Sequence, residues 1–142
     1  LAELGQFSDA GDTAHVARVL EGRLALILRR YLTRLSPITD LRVEAEKLCG
    51  VDVARQRAVQ PVADYRYSAS SETQPLKVEV RNDSQLCVSL PRAGAAKNLP
   101  APAAERYRRV RIMSSKARGA LVAHLYDLGE RGYRLVGIER PE

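Results

Sequence analysis

The most site-like cluster of side chains in the sequence is His124 with its neighbours Tyr126 and Asp127. A histidine beside a tyrosine can exchange protons near neutral pH, which is the chemistry of general acid–base catalysis. On a strand, His124 and Tyr126 would lie on one face and Asp127 on the other. Because no serine of the chain has the G-x-S-x-G context of an activated nucleophile, the sequence favours a structural histidine. A catalytic His124 in acid–base work is the alternative.

The densest basic stretch is the run from Arg106 to Arg111. On a strand, Tyr107, Arg109 and Arg111 would project to one side. Such a stripe could stack on bases and clamp the backbone of single-stranded nucleic acid, or hold other phosphate or carboxylate groups. The alternative is a solvated strand face that pairs with acidic residues across the sheet. The candidate binding residues are Arg106, Tyr107, Arg108, Arg109 and Arg111.

The residue types give little support to metal or cofactor chemistry. The chain has two histidines, His15 and His124, and two cysteines, Cys49 and Cys87. None of them belongs to a CxxC pair, an HExxH motif or an EF-hand loop. The closest glycine cluster lacks the Lys-Ser/Thr of a P-loop. We therefore expect no metal site and no cofactor.

The two cysteines leave two interpretations open. In an oxidising compartment, Cys49 and Cys87 could form one disulfide, which would stabilise the fold by about 3–4 kcal/mol in the chain-entropy model. In the cytoplasm they would be ordinary buried thiols. The location of the protein therefore stays uncertain: a bridged pair favours an extracytoplasmic compartment, and an unbridged pair favours the cytoplasm.

Length and charge limit the class of protein. The chain has 142 residues, a formal net charge of +6 and 45% hydrophobic residues, which is typical of one globular domain, and we expect a single domain over 1–142. Most of the positive charge is arginine, and GC-rich codons, typical of many bacteria, favour arginine. A basic surface permits binding to nucleic acid, anionic lipid or an acidic protein, although it can also occur without such a partner. No apolar run approaches the ~20 residues of a transmembrane segment.

The first strong element is an amphipathic helix over residues 12–36. Asp12 or Thr13 can cap it, and Ser36-Pro37 ends it because the residue before proline avoids the α region. We expect its apolar stripe to be hidden against a downstream sheet, although its arginine face could instead lie on an anionic membrane. The stripe residues, at helical spacing, are Val16, Val19, Leu20, Leu24, Ile27, Leu28, Tyr31, Leu32 and Leu35.

The chain is predicted to be mainly β from 65 to 140. Alternating patterns predict strands at 65–69, 76–80, 86–90 and 107–112, and the second and third of these would form a hairpin. Residues 91–104 are rich in Ala, Pro and Gly, which is typical of an exposed and mobile loop. Residues 42–49 fit a short helix or a strand equally well.

Residues 115–131 leave the end of the fold open. They could form a helix between two strands, which would give a β-α-β, ferredoxin-like ending. Alternatively, residues 120–128 form a strand that pairs with 133–138 through a turn containing Gly129 and Gly132. We favour the hairpin because Gly119 would be costly inside a helix. The predicted fold class is α+β, with an N-terminal amphipathic helix packed on an antiparallel sheet of five or six strands.

These observations predict a non-catalytic accessory or interaction domain, with another protein or another domain of the same precursor as its partner. The sequence begins at Leu1 without a signal-peptide pattern, so we expect the C-terminal module of a larger bacterial protein. Nucleic-acid binding through the arginine-rich strand is the first alternative function. Part of an enzyme that uses His124 is the second.

Overall fold

The computed structural model describes residues 9–72, 74–82, 84–91 and 106–141. Of the predicted mobile loop 91–104, all but the first residue lies outside these ranges. The elements, in chain order, are α1 (Ala10–Leu32), β1 (Ile38–Glu44), β2 (Lys47–Asp52), α2 (Val53–Gln56), β3 (Tyr67–Ser71), β4 (Gln74–Leu76), β5 (Val78–Arg81), β6 (Gln85–Ser89), β7 (Tyr107–Ser114), β8 (Leu121–Asp127) and β9 (Tyr133–Glu139).

The strands form two antiparallel sheets. The four-stranded sheet has the order β1-β2-β6-β5, and the five-stranded sheet has the order β4-β3-β7-β8-β9. Alternate side chains of both sheets enter one buried cluster, so the sheets face each other across a shared core. The fully buried aliphatic side chains of that core are Ile38, Leu48, Leu86, Val88, Val110, Ile112, Leu121, Ala123 and Leu125.

The α+β class is confirmed, with one long helix and two antiparallel sheets. The sequence predicted one sheet, and the division into two has a local cause. The predicted strand 76–80 is split at Lys77, because β4 pairs with β3 in one sheet while β5 pairs with β6 in the other. The alternating pattern continues across this crossing, so it does not reveal the change of sheet.

The undecided segment 42–49 belongs to a hairpin of β1 and β2. Two features obscure its strand period. The register shifts between Thr39 and Arg42, and both Asp40 (φ 51°) and Ala45 (φ 52°) have left-handed backbone conformations. Each deviation interrupts strict alternation, which is the signal that identifies a strand from sequence.

The favoured ending of the chain is confirmed, and the ferredoxin-like β-α-β alternative is wrong. β8 and β9 pair as an antiparallel hairpin, and both Gly129 (φ 67°) and Gly132 (φ 77°) have the positive φ that the turn requires. Gly119 has a separate role before β8. A Cβ atom at this position would lie 2.9 Å from the carbonyl oxygens of Arg34 and Pro141, so only glycine fits.

Helix α1 begins earlier than predicted, because its cap is Asp9 and neither Asp12 nor Thr13. The Asp9 carboxylate accepts a hydrogen bond of 3.0 Å from the backbone amide of Gly11. The far end of the helix is attached to the loop before β8 by two backbone hydrogen bonds. Arg118 N donates to Thr33 O (2.9 Å), and Gly119 N donates to Arg34 O (2.8 Å).

The contact between α1 and the rest of the protein covers only part of the predicted stripe. Val16, Leu28, Leu32 and Leu35 are half-buried, but most of the other stripe residues are exposed. The prediction that the whole stripe is hidden is therefore wrong. The physical reason is that the inner faces of the two sheets bury each other, which leaves no apolar sheet face for the helix.

Candidate functional site

The apolar face of α1 is exposed, and the core of the protein does not account for it. It consists of Leu20, Leu24, Ile27 and Tyr31, which are 48%, 51%, 54% and 55% exposed. Their spacing of i, i+4, i+7 and i+11 places them on one side of the helix. Val19 and Leu26 add two more exposed apolar side chains to the same helix. A contiguous apolar patch of this kind typically marks an interaction surface.

Charged side chains flank the apolar face of α1. One margin of this face carries Arg23, Arg30 and Arg34. The other margin carries Glu21, which lies one helical turn before Leu24 on the same side of the helix. Within the ranges that the structure covers, none of these charges forms an ion pair. Five arginines against two acidic residues between positions 10 and 34 give this segment an excess of positive charge.

The basic strand β7 places its side chains as the alternation predicts. Tyr107, Arg109 and Arg111 project from the outer face of the five-stranded sheet, opposite Tyr126, His124 and Val122 of β8. Arg109 and Arg111 are exposed, and neither has a hydrogen bond or ion pair within the described part of the chain. They therefore form an open cationic pair on this face.

The other two arginines of the predicted set do not join this pair. Arg108 points towards the core side of β7, and its guanidinium donates a hydrogen bond of 3.0 Å to the carbonyl oxygen of Tyr107. Arg106 is half-buried at the start of the strand, and its Nε atom is buried without a hydrogen-bond partner. The structure therefore separates the five candidates into a stripe on one sheet face, with Tyr107 half-buried and Arg109 and Arg111 exposed, and two arginines outside it.

His124 is held between two neighbours on the outer sheet face. Its Nδ1 forms a short hydrogen bond with the hydroxyl of Tyr107, and the two rings stack with centroids 5.8 Å apart. Its Nε2 is buried and lies 3.3 Å from a carboxylate oxygen of Glu139, without hydrogen-bond geometry. Only 15% of the His124 side chain is exposed. These contacts fix the orientation of the His124 ring and leave little space beside it for a substrate.

The neighbours of His124 have structural contacts of their own. Tyr126 lies on the same face, and its ring meets that of Tyr107 at 5.9 Å between centroids. The Asp127 carboxylate accepts a 2.8 Å hydrogen bond from Gly129 N, which fixes the turn after β8. The three residues of the predicted cluster therefore do not converge on a common point.

Cys49 and Cys87 form a disulfide between β2 and β6. They face each other directly in the register of the two strands, and both are fully buried on the outer face of the four-stranded sheet. The Glu44 carboxylate lies within 4.8 Å of both sulfur atoms. These three residues are the only cluster of metal-ligand types in the described ranges, but a bonded sulfur pair offers no thiolate to a metal.

Ion pairs surround the disulfide on the outer face of the four-stranded sheet. Glu79 binds Lys47 at 2.6 Å and Lys77 at 3.1 Å, and these hydrogen bonds lower the pKa of Glu79 to about 2. Glu44 binds Arg42, whose hydrogen bond lowers the pKa of that carboxyl. The aliphatic stems of such long side chains can shield a buried disulfide from solvent.

Sequence reasoning missed Asp52, the one acidic side chain that is fully buried among the described residues. Its carboxylate accepts hydrogen bonds of 2.9 Å from the Tyr67 hydroxyl and 2.9 Å from the backbone amide of Arg55, where it caps α2. Burial and the negative charge of Asp52 raise the pKa of Tyr67. A single aspartate after an apolar run resembles a turn residue, so the sequence carried no signal of this burial.

Comparison with known proteins adds no relative. No protein-family model, no curated protein and no solved structure gives a significant match to this chain. In addition, no helix of the described residues is long and apolar enough to cross a membrane.

Proposed function

We propose that this chain is a non-catalytic interaction domain, and an accessory module of a larger bacterial protein, that docks another protein through the apolar face of α1. The observation that carries the proposal is the exposure of Leu20, Leu24, Ile27 and Tyr31 beside a core that closes without them. Helices with anchors at this spacing commonly insert into an apolar groove of a partner.

The exposed apolar side chains of α1 would contribute part of the binding energy. Full burial of a large aliphatic side chain contributes about 1.5–3 kcal/mol, so the exposed half of each of the four residues contributes about 1 kcal/mol. Together they supply about 4 kcal/mol, which is a factor of about 10³ in affinity. The remaining affinity would come from the charged margins and from the half-buried side chains at the edges of the contact.

The charges select the kind of partner. A second copy of the chain in antiparallel orientation would bring the arginine margins of both copies together, which like-charge repulsion disfavours. An anionic membrane would attract these arginines, but it would repel Glu21, which shares a helix side with Leu24. A protein groove can carry both signs of charge, so the proposed partner has an apolar groove with a mainly acidic rim.

Site-specific photocrosslinking tests this docking proposal. A photoreactive residue at Leu24 should crosslink one partner protein in cells, while the same residue at Val80, which is 45% exposed on β5, should not. The captured protein is then purified and its binding to the free domain is measured. Leu24→Glu should weaken that binding by about 100-fold, because it places a charge in an apolar contact, whereas Val80→Glu should leave it unchanged.

Each other outcome contradicts the proposal. Equal binding of the Leu24→Glu and Val80→Glu variants would show that the captured protein does not use this face. A crosslink between two copies of the chain would make the domain a homo-oligomer. Crosslinking only to lipid, or to no molecule at all, would exclude a protein partner at this face.

A second candidate function is the binding of single-stranded nucleic acid on the outer face of the five-stranded sheet. The observation that favours it is the stripe of Tyr107, Arg109 and Arg111, in which a half-buried aromatic ring lies on the same sheet face as two exposed arginines without ion pairs. Aromatic stacking combined with cationic contacts to the backbone is the usual mode of such binding.

Fluorescence anisotropy with a labelled oligothymidine at several salt concentrations tests this second function. The double variant Arg109→Gln/Arg111→Gln should weaken binding and reduce the slope of log K against log salt by about 1.4, since each lost phosphate contact removes about 0.7. Arg18→Gln/Arg57→Gln removes the same charge from exposed positions outside this stripe and should leave the slope intact. Absence of binding at low salt would eliminate this function.

The disulfide bears on where the protein works. We propose an oxidising, extracytoplasmic compartment, because structural disulfides persist there and are rare in the reducing cytoplasm. Mass spectrometry of protein extracted from native cells after rapid thiol blocking would support this if Cys49 and Cys87 remain unmodified. Two blocked thiols would contradict it.

A further inference from the structure

A cationic cleft lies where the C-terminal end of α1 meets the loop between β7 and β8. It has a volume of about 560 Å³. Its charged lining comes from two segments that are more than eighty positions apart in the sequence. The basic residues that line it are Arg29, Arg30, Arg34, Lys116 and Arg118.

Backbone hydrogen bonds hold the two segments of this cationic cleft in a fixed arrangement. The amides of Arg118 and Gly119 donate to the carbonyls of Thr33 and Arg34 at 2.9 and 2.8 Å. Gly119 permits this close approach, since any Cβ atom there would meet the Arg34 carbonyl. The backbone contacts therefore place the basic residues of the two segments next to each other.

The positive charge of the cationic cleft is largely uncompensated. Asp64 lies 3.3 Å from Lys116 and offsets that one cation. In the part of the chain that the structure describes, the four arginines have no ion pair. Cations at a helix C-terminus do interact favourably with the helix dipole, but that effect is equivalent to only about half an elementary charge. Four unpaired arginines exceed it, and their mutual repulsion favours an anion between them.

We propose that this cationic cleft binds a molecule that carries two or more phosphate groups. Arginine is suited to phosphate because its planar guanidinium presents two parallel N–H donors. A single carboxylate would neutralise one of the four arginines, whereas a chain of phosphates can contact several at once. The volume lies in the range of small-molecule sites. The cleft shares Arg30 and Arg34 with the margin of the apolar face of α1, but binding of phosphate there does not need the apolar side chains of that face.

Titration calorimetry with inorganic tripolyphosphate tests the cleft directly. The intact protein should bind it, and Arg34→Gln/Arg118→Gln should weaken the binding by about tenfold or more, because charge-assisted hydrogen bonds are lost. Both side chains are exposed, so the variant should keep the thermal stability of the parent. The matched control, Arg18→Gln/Arg57→Gln, removes the same charge from exposed positions outside the cleft and should bind as the intact protein does.

A second arm distinguishes the source of the phosphates. Flotation with vesicles of phosphatidylcholine, alone or mixed with phosphatidylinositol phosphates, shows whether a lipid headgroup enters the cleft. The proposal is supported if binding in either experiment depends on Arg34 and Arg118. Binding of tripolyphosphate alone indicates a free polyphosphate as the ligand, and binding of the vesicles with phosphatidylinositol phosphates indicates a lipid headgroup. Equal loss in the two double variants would show non-specific attraction to a basic protein and would overturn it. Absence of binding in both arms would also overturn it.

Discussion

Reduction of the disulfide should lower the free energy of unfolding by about 3–4 kcal/mol, because the bond between Cys49 and Cys87 closes a loop of 38 residues. A domain of this size is stabilised by about 5–15 kcal/mol in total, so the loss would be a large fraction. Urea unfolding with and without a phosphine reductant measures it. The reductant should shift the midpoint of the intact protein strongly to lower urea.

The variant Cys49→Ala/Cys87→Ala is the matched control for this effect. It lacks the bond and should unfold at the same urea concentration with and without the reductant. Its own stability should be at or below that of the reduced protein, because truncation of two fully buried side chains leaves cavities. An intact protein that is insensitive to the reductant throughout the unfolding transition would show that the cross-link does not stabilise the fold.

Asp52→Ala should destabilise the protein by about 3 kcal/mol, because it leaves the Tyr67 hydroxyl and the Arg55 amide without their acceptors in a buried site. Loss of the cap on α2 adds to this cost. Urea unfolding gives the value. A change of less than about 0.5 kcal/mol, which is the usual range of exposed positions, would contradict a central role for this carboxylate.

Tyr67→Phe separates the two hydrogen bonds of Asp52. It removes one donor but leaves the carboxylate bound to the Arg55 amide, so the expected loss is about 1 kcal/mol. If Tyr67→Phe lowers the free energy of unfolding as much as Asp52→Ala does, the capping contact contributes little, and the hydrogen bond with Tyr67 provides most of the stabilisation.

Local patterns predicted much of the β structure. Alternation along residues 107–112 correctly placed Tyr107, Arg109 and Arg111 on one face, because side-chain direction in a strand depends only on position. The glycines at 129 and 132 correctly favoured a hairpin, since they tolerate the positive φ that the turn requires. These features are determined within a few residues, and the sequence displays them directly.

Features that depend on distant contacts were not predictable in the same way. The period of α1 identified an apolar stripe, but periodicity does not say what covers the stripe. The burial of Asp52 depends on a tyrosine fifteen positions away. The cationic cleft joins residues near position 30 with residues near position 117. None of these partners is encoded by local spacing, so each needed the tertiary structure.

Thiol labelling of the free domain tests the central claim most directly. Since both native cysteines are bonded to each other, an introduced cysteine is the only free thiol. Leu24→Cys should react with a maleimide in native buffer nearly as fast as in urea, whereas Ala123→Cys, fully buried in the core, should react only after unfolding. A Leu24→Cys thiol as protected as that of Ala123→Cys would show that α1 packs on the sheets with its apolar face hidden, and the docking surface would not exist.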